Sequence, residues 1–124
     1  MSGATLSNPD EPLKPLILLN VHSIAKFDGS NYRQWRIQLE SLFDGYGLSS
    51  FINGTAPPPK NLTAPDKQST PNPTYSTWFR QDKFLFSAVA STLTAAVSPL
   101  LNRVTTYDVG ELIGEDTILV EPED

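Results

Sequence analysis

Apolar residues along this chain fall into three different rhythms. From Leu16 to Phe27 they sit at Ile17, Leu19, Val21, Ile24 and Phe27. The spacing starts at two, the period of an extended segment with one packed face, so an N-terminal arm is predicted, with a short strand as one form of it. Asp28-Gly29-Ser30-Asn31 then carries turn chemistry, and Ser30 or Asn31 is positioned to cap a helix. With Asn31 as the cap, Gln34 stands where a capping box needs it. Tyr32, Trp35, Leu39, Leu42 and Tyr46 recur at steps of three and four, which predicts a helix over 32–44 with these side chains on one face. Gly45 and Gly47 are expected to end it.

Leu48–Ile52 is a short apolar patch, and Asn53-Gly54 turns the chain. Residues 55–73 hold six prolines among polar residues, which excludes a helix there and predicts a long exposed loop, with Pro57-Pro58-Pro59 in polyproline II. A second helix is predicted over 74–93, with Tyr75, Trp78, Phe79, Leu85, Phe86, Val89 and Leu93 as a wide stripe and Asp82 inside it. Thr94 reads as the cap of a short third helix broken near Pro99, and Thr105 and Asp108 have capping-box spacing for a fourth, weakened by Gly110 and Gly114. The domain plan is a disordered lead over 1–15, a helical domain over 16–112 and an acidic tail over 113–124, with a short strand at Thr117–Val120 as an option. The fold class is mainly α: two main helices, one or two short ones, an extended arm and a proline-rich loop.

Composition narrows the function. The 124 residues suffice for one domain, with 39% hydrophobic and 19% charged residues. The chain has no cysteine, so disulfides, thiol chemistry and cysteine-ligated zinc are excluded. The longest aliphatic run, Leu16–Leu19, is far shorter than the roughly 20 residues of a membrane span, and it is too short for a signal-peptide core. An intracellular, cytoplasmic protein is expected, and the sequons at Asn53 and Asn61 are read as coincidental. Net charge is −5, unevenly spread: residues 108–124 hold seven acids and no base, whereas 26–107 hold eight bases and five acids. That body, at +3, is a poor electrostatic match for nucleic acid.

Candidate chemistry is sparse. His22 is the one histidine and has no nucleophile motif beside it. Asp28-Gly29-Ser30 has the wrong order for an aspartic-protease signature, and no phosphate loop or dinucleotide fingerprint occurs. Asp82 is read as a structural acceptor for a backbone or tryptophan N–H rather than as a general acid. Trp35 and Trp78, beside Arg33, Arg36, Arg80 and Lys83, suit base stacking in principle. Their helical spacing instead places both in one core. No catalytic residue, metal site, cofactor, small-molecule substrate or membrane contact is expected. The interaction candidates are Tyr32, Trp35, Leu39, Tyr75, Trp78 and Asp82.

One ordered series of short motifs goes further. Lys26-Phe27-Asp28-Gly29-Ser30-Asn31-Tyr32-Arg33-Gln34-Trp35 is followed by Gly47-Leu48, then by Phe51-Ile52-Asn53-Gly54 and a proline-rich loop. Pro71-Asn72-Pro73-Thr74-Tyr75, Trp78, Gln81-Asp82, Leu85, Ser91-Thr92-Leu93 and Val97 complete the series. Over about residues 16–109 it resembles the N-terminal Gag region of plant copia-type retrotransposons. The resemblance implies a non-enzymatic, capsid-type helical domain that associates with copies of itself or with other Gag-like chains. It departs from the family near Gly110, where a tryptophan is usual, and it lacks the zinc knuckle and the enzymes of a full polyprotein. A truncated element or a host gene derived from one is therefore expected. The rivals are a single-stranded nucleic-acid-binding module, a helical adapter and a non-functional relic.

Overall fold

The computed structural model describes residues 15–104 and 108–114. The expectations for the lead at 1–14, for Thr105 and for the tail at 115–124 lie outside the described residues. Among the described residues the fold is small and mainly helical, with one two-stranded sheet. In chain order it consists of α1 (Tyr32–Tyr46), a 3₁₀ turn (Ser49–Phe51), strands β1 (Asn61–Thr63) and β2 (Ser69–Pro71), α2 (Pro73–Ala90), a 3₁₀ helix (Ser98–Arg103) and α3 (Val109–Leu112).

α1 runs two residues beyond its predicted end. Gly45 lies inside it, and Gly47 alone closes it, with φ at +74° and its N–H returning to the Asp44 and Phe43 carbonyls. Asn31 occupies the cap position but makes no side-chain cap bond. Its amide knits the preceding turn instead: Oδ1 accepts from the Asp28 N–H and Nδ2 donates to the Lys26 carbonyl. The predicted capping box is therefore absent. The buried stripe of α1 is Trp35, Leu39 and Phe43, whereas Tyr46 is exposed. Tyr46 lies in the last turn of α1, and Phe43, four residues after Leu39, continues the buried stripe.

α2 starts as predicted, one residue early. Asn72 caps it by accepting from the Thr74 N–H, and Pro73 fills the first turn, where its missing N–H costs nothing. The helix stops at Ala90, three residues before the predicted end. Thr94 does not cap the next element. The 3₁₀ helix there is preceded by Val97 without a side-chain cap, and Pro99 stands in its first turn rather than breaking it. Asp108, expected at the third turn position of a box, is itself the cap of α3, accepting from the Glu111 N–H at 2.6 Å.

The proline-rich segment is not a plain loop. Asn61, Leu62 and Thr63 pair antiparallel with Pro71, Thr70 and Ser69, all of them exposed. Asn72 ties the base of this hairpin to the body, donating from Nδ2 to the Pro59 carbonyl at 2.7 Å. The arm forms no strand and turns at Val21–Ile24, where the Ile24 N–H donates to the Val21 carbonyl; its ladder contact among the described residues is a parallel bridge between Phe27 and Leu93, with Phe27 bonded on both sides by Thr92 and Thr94.

A single core joins these parts. Leu19, Ile24 and Phe27 of the arm pack with Trp35, Leu39, Phe43, Leu48, Leu85, Val89, Leu93, Val104, Val109, Leu112 and Ile113. Ile113, the first residue of the expected tail, is 1% exposed. Gly110 is a packing requirement rather than a weakness: a Cβ there would lie 2.9 Å from the Phe51 carbonyl oxygen. Among the described residues no helix is long and apolar enough to cross a membrane.

Candidate interaction surface

The six candidate residues separate into two places. Tyr32, Trp35 and Leu39 lie on α1 and hold the molecule together. Trp35 is fully buried, stacked on Phe27 at 5.0 Å, and its Nε1–H donates to Thr92 Oγ1 at 2.8 Å. The Thr92 hydroxyl in turn donates to the Val89 carbonyl at 2.6 Å, so the indole N–H and the hydroxyl are both satisfied. Tyr32 closes the other end of the fold. Its hydroxyl donates to the Ile113 carbonyl and accepts from Arg36, which also reaches the same carbonyl at 3.2 Å. Arg36 further pairs with Glu40 at 2.9 Å.

Tyr75 and Trp78 lie elsewhere. Trp78 is half-buried and lies outside the core that contains Trp35. The expectation of one core holding both tryptophans is thus corrected. The buried arc of α2 is carried by Gln81, Asp82, Leu85 and Val89, from its middle onward, and Trp78 lies nearer the helix start, before that arc begins. Phe51, from the 3₁₀ turn, stacks on Trp78 with centroids 5.9 Å apart and planes 10° apart. Tyr75 lies 5.8 Å from Trp78 and 6.1 Å from Phe79, making a row of four rings along one side of the molecule. Lysines flank it: Lys60 Nζ stands 5.9 Å from the Tyr75 centroid and Lys83 Nζ 4.9 Å from that of Phe79. Phe79 is 43% exposed, and Phe84, on the opposite flank of α2, is 45% exposed.

Asp82 links the two places. It is 1% exposed and accepts from the Val109 N–H at 3.3 Å, which attaches α2 to the start of α3. The expected acceptor role is met by a backbone donor, not by a tryptophan. Its Oδ2 has no hydrogen bond, with Lys83 Nζ 3.6 Å away. Burial pushes the carboxyl pKa up, and the Val109 N–H and the Lys83 charge pull against that shift. A recess of about 330 Å³ beside it is lined by Phe51, Gly54, Trp78, Asp82, Asp108 and Gly110 among others. Among the described residues no three His, Asp or Glu side chains gather as a metal site.

The remaining chemical candidates disperse. His22 sits exposed in a turn of the arm. Asp28 accepts from both the Ser30 N–H and the Ser30 hydroxyl, bonds that hold its pKa below the ordinary value and bind it into the turn. Base stacking on Trp35 is excluded by its burial, and Arg36 is committed to internal partners. Sequence reasoning missed Gln81 and Thr92. Both are buried polar residues, and Gln81 falls on the packed arc of α2 next to Asp82, the one signal that marked it.

Two curated proteins of Arabidopsis thaliana match this chain: the Retrovirus-related Pol polyproteins from transposons RE2 and RE1. Each is 35% identical over 91 residues, which is 73% of this chain and 6% of the polyprotein. The chain is similar to a segment of copia-type retrotransposon polyproteins. It spans about 6% of the length of these relatives. No protein-family profile matches the chain. No solved structure matches it either.

Proposed function

We propose that this chain is a Gag-like, non-enzymatic interaction domain that works by associating with copies of itself or with related chains. The observation that carries the reading is the placement of large apolar side chains. A fold this small encloses Trp35, Leu39, Phe43, Leu85 and Val89, yet leaves Leu18, Ile37, Phe79 and Phe84 between 43% and 73% exposed. Scattered single apolar residues are ordinary, but a row of rings continuous from half-buried Phe51 to exposed Phe79 supports a contact surface. Similarity to transposon polyproteins supports a transposon-derived region, and the Gag-like assignment is our reading of that region. The polar groups support the non-enzymatic part: His22 and Asp28 are turn residues, and Asp82 serves the backbone. In this reading the protein acts in the cytoplasm, without cofactor, substrate or membrane contact.

Sedimentation of the purified chain across a hundredfold range of concentration tests it. Mass rising with concentration is the expected outcome. A monomer at every concentration, with a well-folded thermal transition, would favour an adapter that grips an unrelated partner through the α2 rings.

A further inference from the structure

The arm meets α2 through one unusual contact. The Ile17 N–H donates to Gln81 Oε1 at 2.7 Å, and Gln81 Nε2 donates to the Ile17 carbonyl at 2.8 Å. A side-chain amide thus pairs with both backbone groups of one residue, as a neighbouring strand would. That geometry requires Ile17 to be extended, because only then do its N–H and C=O point to the same side. In an extended chain the next residues point the opposite way. The N–H and C=O groups of Leu16, Leu18 and Asn20 therefore face away from Gln81, and none of them has a hydrogen bond among the described residues. Leu18, at the centre, is 73% exposed, the most exposed large hydrophobic among the described residues. Phe84, one turn beyond Gln81 on the same helix, is 45% exposed.

We propose that Leu16–Asn20 is a free strand edge by which two copies of this chain pair, antiparallel about a twofold axis through Leu18. The proposal rests on the self-association reading above and assigns it a surface. In this register Leu18 faces Leu18 of the second copy, and Leu16 faces its Asn20. Every donor the ladder needs is present, because no proline lies between Leu16 and Asn20. Pro15, with no N–H, bounds the ladder on one side.

Charge argues for an identical partner. Protein edges are usually guarded by lysine or another charge, and such a charge would meet itself across a twofold axis. Here the whole run from Pro15 to Val21 is uncharged. A five-residue ladder is short, so the contact is weak in dilute solution and forms where many copies are crowded together.

The test uses the full chain in three variants. Leu18→Lys places two ammonium groups opposite each other, and its side chain is exposed, so the thermal midpoint should hold. Its dimer dissociation constant should rise at least tenfold in sedimentation. Because the chain has no cysteine, Leu18→Cys under mild oxidant reports the axis directly. Opposed residues in such a ladder lie about 5.5 Å apart at Cα, within disulfide reach. Its dimer should form at least ten times faster than that of Ile37→Cys, whose side chain is 48% exposed on the outer face of α1.

Equal crosslinking of the two cysteine variants, with Leu18→Lys still associating like the parent, overturns the arm contact and leaves self-association standing on another surface. A parent that stays monomeric, with no preference for Leu18→Cys, overturns both. A synthetic peptide of unrelated sequence that binds the edge of a strictly monomeric chain would replace the second copy with a foreign strand, and so also refute the proposal.

Discussion

Trp35 and Thr92 are a pair in which shape and polarity are satisfied together. The indole fills the centre of the core, and its N–H has one acceptor, the Thr92 hydroxyl. Trp35→Ala should cost about 3–5 kcal/mol, as large aromatic truncations do, and a domain this small is then expected to lose its cooperative thermal transition. Thr92→Val isolates the polar part. It keeps the volume and strands a buried N–H, at about 1–3 kcal/mol, so its midpoint in urea should fall while Thr92→Ser stays near the parent. Asp82 brings a pH dependence of the opposite sign to a surface acid. Its folded pKa is raised by burial, so the folded state holds its proton more firmly than the unfolded chain. The contribution to stability is therefore fully present below the ordinary value of 3.8 and is lost as pH rises through the raised folded value. Measured against Asp82→Asn, the parent should gain stability as pH falls from 7 to 4. A constant difference across that range would show that Asp82 does not titrate with folding. Asp82 was visible in the sequence as an acid within an apolar stripe; Thr92 was not, because a threonine near a helix end has no pattern that marks it as the acceptor for a distant indole.

At the level of elements, α2 was legible near its start and at Leu85 and Val89, because a long apolar stripe runs through it, but Tyr75, Trp78 and Phe79 of that stripe lie outside the core. The hairpin was the least legible. Its strands are three residues each, exposed on both faces, so no hydrophobic alternation announces them. What holds them is the ladder itself and the Asn72 bond to Pro59, neither of which depends on burial. Such a hairpin contributes little to the core. Limited trypsin digestion should therefore cut first at Lys60 or Lys67, the latter held at φ +68° in the hairpin turn. The nicked fragments should remain associated on gel filtration. First cuts at Arg33 or Arg36 would mean that α1 opens more readily than the hairpin, contrary to its fully buried face.

For the whole molecule, electrostatics sets the expected limit on nucleic-acid binding. The body carries +3, and two of its bases, Arg36 and Lys83, already face Glu40 and Asp82. Affinity for a phosphate backbone grows with each phosphate neutralised, so few are available to add. Seven acids in residues 108–124 further disfavour an approaching strand, although screening over roughly 8 Å limits their reach. Fluorescence anisotropy with single-stranded RNA at about 150 mM salt should show weak binding or none. Micromolar binding would redirect attention to the Tyr75–Trp78–Phe79 row, with Lys60 and Lys83, as a stacking platform.

Local rules were enough to place the turn before α1, both main helices and most of the packed face of α1, because helical periodicity and glycine at a left-handed stop act within a few residues. The packing of the arm through Leu19, Ile24 and Phe27 was readable from its apolar positions. Partnership was not. Tertiary packing took Trp35 into the core and left Trp78 half-buried outside it, although both open a helix with the same Tyr-x-x-Trp spacing. It also made Gly110 a point of close approach to Phe51 and turned Gln81 into a clamp for Ile17, 64 residues away. Each of these depends on which segments meet across the core, and periodicity along one segment carries no information about the segment that comes to lie against it.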